Sequence, residues 1–177
     1  MYIKQKYQTL IPRIIAQFID GVIFLLIANI SDFFIPKTSS PAFLVSSVFQ
    51  MLLAALYFVT GYVKFGCTLG KKIMGLRVLN LQENGYISFS MAFMRISVWL
   101  FLEAAPILFS VTGSNRETKL LEFSLNDFFD LVAGIWFLLN FAAVFLNDKR
   151  RALHDYMAGS VVVKLSMAER EHISTRE

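Results

Sequence analysis

Four stretches of this chain are about as long as the hydrocarbon core of a bilayer is thick. A helix rising 1.5 Å per residue needs roughly 20 apolar residues to cross about 30 Å of lipid. The stretches expected to do so cover residues 12–35, 42–63, 92–111 and 128–146, and the second contains no Asp, Glu, Lys or Arg. Pro12 falls in the first turn of its helix, where a missing amide proton costs little, and Pro106 is expected to kink the third helix. The short segment Pro36–Pro41 makes the first two helices an antiparallel hairpin, and a polar loop from Ser114 to Asp127 does the same for the last two. The expected fold is an all-α membrane protein, a four-transmembrane-helix bundle of two antiparallel hairpins with a partly structured loop between them. Residues 1–165 would form the transmembrane domain and 166–177 a disordered charged tail.

Composition supports lipid over water. Hydrophobic residues make up 56% and charged residues 17%, with 18 Phe, against roughly 45–50% and 25% in soluble domains. A soluble enzyme is not expected. The formal net charge of +4 would suit nucleic acid, but the basic residues crowd the ends of the apolar runs, where lipid headgroups account for them better. Cys67 is the only cysteine, so no internal disulfide or cysteine metal cluster is expected, and no cofactor or metal either. The run Ile14–Ile30 follows Lys4 and Lys6 as in a signal peptide. Asp20 interrupts it and no small-x-small cleavage site follows, so it reads as a retained helix.

Lys and Arg set the expected orientation. They gather in the N-terminal segment (Lys4, Lys6, Arg13), in the central loop (Lys64, Lys71, Lys72, Arg77) and after the fourth run (Lys149, Arg150, Arg151). The other two connections hold Lys37, and Arg116 with Lys119. This alternation predicts a multi-pass protein of the inner or plasma membrane with both termini cytosolic. In the central loop, Arg77–Leu81 and Tyr86–Phe89 read as short strands around an Asn84-Gly85 type I′ turn, an interfacial hairpin. The rival is an amphipathic segment dipping Ile73, Met74, Leu76 and Leu79 into the membrane.

Charges inside the oily runs need a reason. Arg13 and Asp20 share a face of the first helix and differ in depth by about 10 Å. Arg13 can snorkel to the surface, but a carboxylate near mid-helix costs about 2.5–3.5 kcal/mol to insert. Arg95 and Glu103 repeat the theme on the third helix, and Glu103 is expected at the depth of Asp20. Asn29, Asn140 and Asp130 add polar groups. One reading is a crevice in which Asp20 and Glu103 bind a monovalent cation or relay a proton. The other is an internal charge network that fixes helix packing.

The same residues resemble the RDD family, named for one arginine and two aspartates. Its arginine begins the first transmembrane helix and its first aspartate lies within that helix, as Arg13 and Asp20 do. A T-x-G-K-x-x-x-G-x-[RK]-V stretch after the second helix is matched by Thr68, Gly70, Lys71, Gly75, Arg77 and Val78. The family's arginine at the start of the next helix fits Arg95. The tail motif R-R-x-x-H-D-x-x-A-G-[ST]-x-V-V fits Arg150, Arg151, His154, Asp155, Ala158, Gly159, Ser160, Val162 and Val163, with Asp155 as the second signature aspartate. The resemblance covers about residues 10–163. Glu103 is not among the family's hallmarks, and the loop between the last two helices is longer than expected. The resemblance implies a multipass membrane protein. Some members are thought to transport ions, including sodium–proton exchange, and others look like assembly modules.

Two motifs are set aside. Gly66–Lys71 has part of a phosphate-binding loop, but Phe65 stands where its first glycine belongs and Lys72 where Ser or Thr belongs. His154-Asp155 suggests a metal phosphohydrolase, yet such a site needs three or more ligands. Asp155 is better expected to pair with Arg13 or Arg95 at the cytosolic rim. Trp99, Trp136 and the Phe-rich stripes are expected to pack or face lipid. Two functions follow. The first is cation/proton exchange through an intramembrane carboxylate, which asks for a homo-oligomer because four helices are few for alternating access. The alternative is a membrane scaffold or assembly factor without transport.

Overall fold

Mostly apolar, helix-compatible sequence from Leu10 to Phe34 forms α1 (Leu10–Phe34). The computed structural model describes residues 6–35, 40–111 and 125–166. The buried residues of α1 are Arg13, Ala16, Asp20 and Ser31, while Ile11, Phe18, Leu25 and Phe33 point outward. A water-soluble helix does the reverse. The helix hides its polar stripe and offers its apolar face, which suits a surrounding of lipid.

α2 (Ser40–Thr60) runs on into a π-helical turn, Gly61–Phe65, that ends at Gly66 in the left-handed region. A short helix α3 (Leu69–Ile73) and strand β1 (Leu76–Asn80) follow, then α4 (Phe89–Val111), which contains Pro106. After α5 (Leu125–Ala143) come the short helix α6 (Leu153–Met157) and strand β2 (Ser160–Lys164). Three helical stretches, Leu10–Phe34, Pro41–Phe65 and Phe89–Leu108, are long and apolar enough to cross a membrane. α5, at 19 residues, occupies the expected fourth position but begins and ends earlier, because the chain turns after Ala143. Most of the segments joining the helices of each expected hairpin, residues 36–39 and 112–124, lie outside the described residues, as does the tail 167–177.

The central loop departs from the expected hairpin. β1 pairs antiparallel with β2 from Leu76↔Lys164 to Asn80↔Ser160, and the anticipated partner supplies one bridge, Leu79↔Tyr86. Nor do Asn84 and Gly85 form the type I′ turn, which needs positive φ at both. The positive φ falls on Glu83, at 61°. The membrane-dipping alternative also fails for Leu76, which is 1% exposed in the core, whereas Ile73 is 64% exposed. Gly75 (φ 64°) and Gly159 (φ 59°) make the left-handed steps just before the two strands, where a Cβ would be strained.

The densest packing therefore lies at the end of the bundle that carries the loop. Leu76, Val78, Ile87 and Val162 pack with Ala16, Val59, Tyr62, Ala92 and Ile96. The loop and the C-terminal segment form one small platform across the helix ends. Farther along, α2 packs most closely on α4, and α4 on α5. α1 and α2 are also tied by Gln50, whose Nε2 donates to Ser31 Oγ (2.6 Å) and Asp32 Oδ1 (3.0 Å).

Candidate functional site: two carboxylate knots and a cavity

The first knot is built on Asp20. Oδ1 accepts hydrogen bonds from Tyr57 Oη (2.7 Å) and the Gly70 amide (2.8 Å), and Oδ2 accepts one from Thr68 Oγ1 (2.6 Å). Lys71 Nζ stands 4.0 Å from Oδ2. Thr68 also caps α3, accepting from the Lys71 amide. The carboxylate of α1 thus serves as a cap for a short helix of the loop, and three donors occupy much of its accepting capacity. Gly70 is needed for the approach. A Cβ there would sit 2.2 Å from the Ala16 carbonyl oxygen and 2.9 Å from Asp20 Oδ1.

The second knot is built on Asp155 at the base of α6. Oδ2 accepts from Arg13 Nη1 (2.7 Å) and from the Ala152 amide (3.0 Å), and Oδ1 is ion-paired with Arg95 Nη1. Of the two arginines expected to compete for it, Asp155 takes both. Burial works against its charge, but Arg95 and Arg13 prevail and hold it well below the usual carboxylate range. Arg95 Nη1 also donates to Ser160 Oγ (2.6 Å), and Arg95 Nη2 faces His154 Nε2 at 3.2 Å. His154 Nδ1 lies 2.7 Å from Asn140 Oδ1. Nδ1 then carries the proton and Nε2 accepts from Arg95. Burial, with the Arg95 and Arg13 charges added to it, brings the imidazole pKa down to about 3 despite Asp155, so the ring is neutral at pH 7.

Tyr62 joins the knots. Its ring lies 5.1 Å from the Arg95 guanidinium and 5.3 Å from Lys71 Nζ, and its hydroxyl accepts from Lys71 Nζ at 3.2 Å. The remaining loop-motif residue, Arg77, is buried and bonds the Tyr86 hydroxyl.

Glu103 does not join Asp20. It is exposed on α4 and borders, with Asp130, two cavities. The larger, about 620 Å³, is lined from Arg13, Arg95 and His154 at the loop end to Pro106 and Phe129, and Asp20 touches it too. α1 and α5 meet across this cavity rather than by close packing. Asn29 donates to its own helix at the Leu25 carbonyl.

Sequence reasoning passed over Tyr57, Tyr62 and Glu83. The tyrosines stand five residues apart near the loop end of an otherwise oily helix, which was an available signal. Glu83 gave none. Its carboxylate holds Lys6 Nζ (2.6 Å), Tyr7 Oη (2.6 Å) and Lys149 Nζ (2.9 Å), clasping the N-terminal segment and the α5–α6 connection to the loop. Burial alone would raise its pKa, but those three hydrogen bonds bring it down to about 2.

No curated protein and no solved structure gives a significant match to the chain. The sequence model of the RDD family matches residues 7–159. That match takes in Asp20, Asp155 and both arginines on Asp155 and, with the apolar helices, marks a membrane protein. The chain belongs to the RDD family.

Proposed function

We propose that this chain is a non-enzymatic membrane scaffold whose signature charges lock a cytosolic loop and tail onto a four-span bundle. The observation that carries this reading is the engagement of Asp20. Three hydrogen bonds tie it to α2 and to the loop, so an incoming cation would have to break the docking of α3. Asp155, with two arginines on it, is equally committed. Such a platform suits assembly with other membrane proteins or with further copies of the chain. The basic residues at this end support placing it, with both termini, in the cytosol of a cell membrane.

A second reading keeps cation or proton movement and rests on Glu103 and Asp130, which border the same two cavities. Purified protein in sealed vesicles separates the two. The scaffold reading expects no cation-dependent proton flux, and expects Asp20→Asn to lower thermal stability in detergent. Flux in the wild type that is lost in Glu103→Gln or Asp130→Asn, with the helices intact, would establish transport instead. Reporters fused to each terminus test the orientation, and an extracellular signal from either end would refute it.

A further inference from the structure

The cavity between α1 and α5 has two chemically different ends. At the loop end, Arg13 spends Nε on Thr9 Oγ1 (3.0 Å) and Nη1 on Asp155, while Nη2 is buried without a hydrogen-bond partner among the described residues. Arg95 spends both terminal nitrogens, and its Nε is likewise buried and unpartnered. The two residues are 8% and 6% exposed and both border the cavity. Buried donors of this kind ordinarily find an acceptor, and guanidinium N–H groups match phosphate oxygens in charge and geometry. Arg13, Lys71 and Arg95 give this end three buried cations against the two carboxylates Asp20 and Asp155.

Away from that end the wall is aromatic and aliphatic, with Phe24, Phe58, Trp99, Leu102, Phe137 and Phe141. Arg95 and Pro106 bound its extent along α4, a span of about 16 Å at helical rise. Glu103 and Asp130 lie toward the far end, so the two signs of charge are separated along the cavity. A soluble anion would satisfy the arginines and leave this shaft unfilled. A chain without a charged head would fill the shaft and leave the donors unmet.

We propose that the cavity holds an anionic phospholipid, its phosphate at the guanidinium groups of Arg13 and Arg95 and one acyl chain along the aromatic shaft. The lipid would bridge α1 to α4 and α5 where α1 does not close on them. This holds whether the chain is a scaffold or a transporter, because it does not use the carboxylates of Glu103 and Asp130.

Trp99 and Trp136, the chain's two tryptophans, both border the cavity and report on its contents. The full chain in an uncharged detergent is titrated with phosphatidylglycerol brominated on its acyl chains, and separately with brominated phosphatidylcholine. Site occupancy predicts that tryptophan quenching by the anionic lipid reaches its midpoint at least tenfold lower in concentration. Gln17→Glu places a carboxylate on the cavity wall one turn from Arg13, and Ala133→Phe fills the shaft without adding a tryptophan. Each should move the anionic midpoint up to that of phosphatidylcholine while circular dichroism stays unchanged. Equal midpoints for the two headgroups in the wild type would overturn the proposal, whatever the variants do. So would an unchanged midpoint in both variants with intact helix content.

Discussion

The two ends of this bundle are held by different physics. At the loop end, Asp20 and Asp155 are 3% and 0% exposed and every strand valine is buried. At the opposite end, Phe33 and Phe34 are 81% and 75% exposed, and the three membrane-length helices bury only 11–22% of their apolar windows within the chain. Helices in lipid gain nothing from hydrophobic association with one another, so packing and polar contacts must define how they meet. In this protein those contacts are concentrated where loop, tail and helix ends converge. The far end keeps one polar tie, from Gln50 to Ser31 and Asp32, and its exposed phenylalanines need only lipid around them. Order should therefore be lost abruptly when a knot is cut and hardly at all when the far end is trimmed.

Cutting the second knot is the most severe test. Asp155→Ala leaves Arg13 and Arg95 buried with their shared partner gone, a change that costs roughly 3–5 kcal/mol. The variant should yield little folded protein, with its detergent melting temperature far below wild type. A melting curve matching the wild type would show that the platform does not depend on this knot. Gly70→Ala attacks the first knot through space rather than charge. The added methyl meets the Ala16 carbonyl at 2.2 Å, and both atoms are backbone-anchored. α3 must lift off α1, at a cost of about 3 kcal/mol, the upper end for overpacking. Protease cutting between residues 66 and 75 should rise with it, and unchanged cutting would contradict the close approach.

Next in size is a pH effect. His154 has its pKa depressed to about 3 by burial, from a reference near 6.5. The unfolded chain therefore takes up the proton first as pH falls. Stability is unaffected above about pH 6.5 and is lost from there toward pH 3, at up to about 1.4 kcal/mol per pH unit. Asp155, held below the usual carboxylate range, adds its own loss only below about pH 4. Melting temperature should fall between pH 6.5 and 5 in the wild type and stay level in His154→Gln. A parallel fall in both would assign the response to another group.

The parts legible in sequence and the parts that were not differ by range. The helices could be read because each apolar run is a local property. Arg13 and Asp20 could be read because a charge in an oily segment is costly wherever it points, and Asp155 because the tail motif resembles the family's. What Asp20 touches could not be, since one of its donors is the backbone amide of Gly70, fifty positions along the chain. The strand pairing failed for the same reason. Tyr86–Phe89 lay close and looked suitable, but Ser160–Lys164 supplies the Val-rich run that β1 buries. Glu103 misled in the opposite way. Its position along α4 was the ground for grouping it with Asp20, but depth along a helix does not fix which way a side chain faces.

Glu83 tests the rim of the well-ordered end. Its positive φ and its clasp on Lys6, Tyr7 and Lys149 occur together. The two lysine side chains are 37% and 40% exposed, so water and salt weaken their share. Glu83→Gln should cost about 1 kcal/mol in low salt and less in high salt. The wild-type contribution is present above the ordinary glutamate value near 4.5 and is lost as pH falls toward 2, following the depressed pKa. A loss that ignores ionic strength would place the clasp in a drier setting than its exposure indicates.

The smallest effect should come from the largest side chain removed. Phe33→Ala deletes a ring that is 81% exposed and meets Phe34 edge-on at 5.4 Å. In a water-soluble core, Phe→Ala costs about 3–5 kcal/mol, because the lost contacts leave a cavity. At Phe33 detergent or lipid closes over the gap, and the change should stay within about 0.5 kcal/mol, as at an ordinary surface position. The melting temperature in detergent should barely move, while the same variant of a water-facing apolar patch would gain solubility. A marked loss of stability would mean that this end is covered by protein rather than by lipid, and a second copy seated on α1 would then be the first structure to look for.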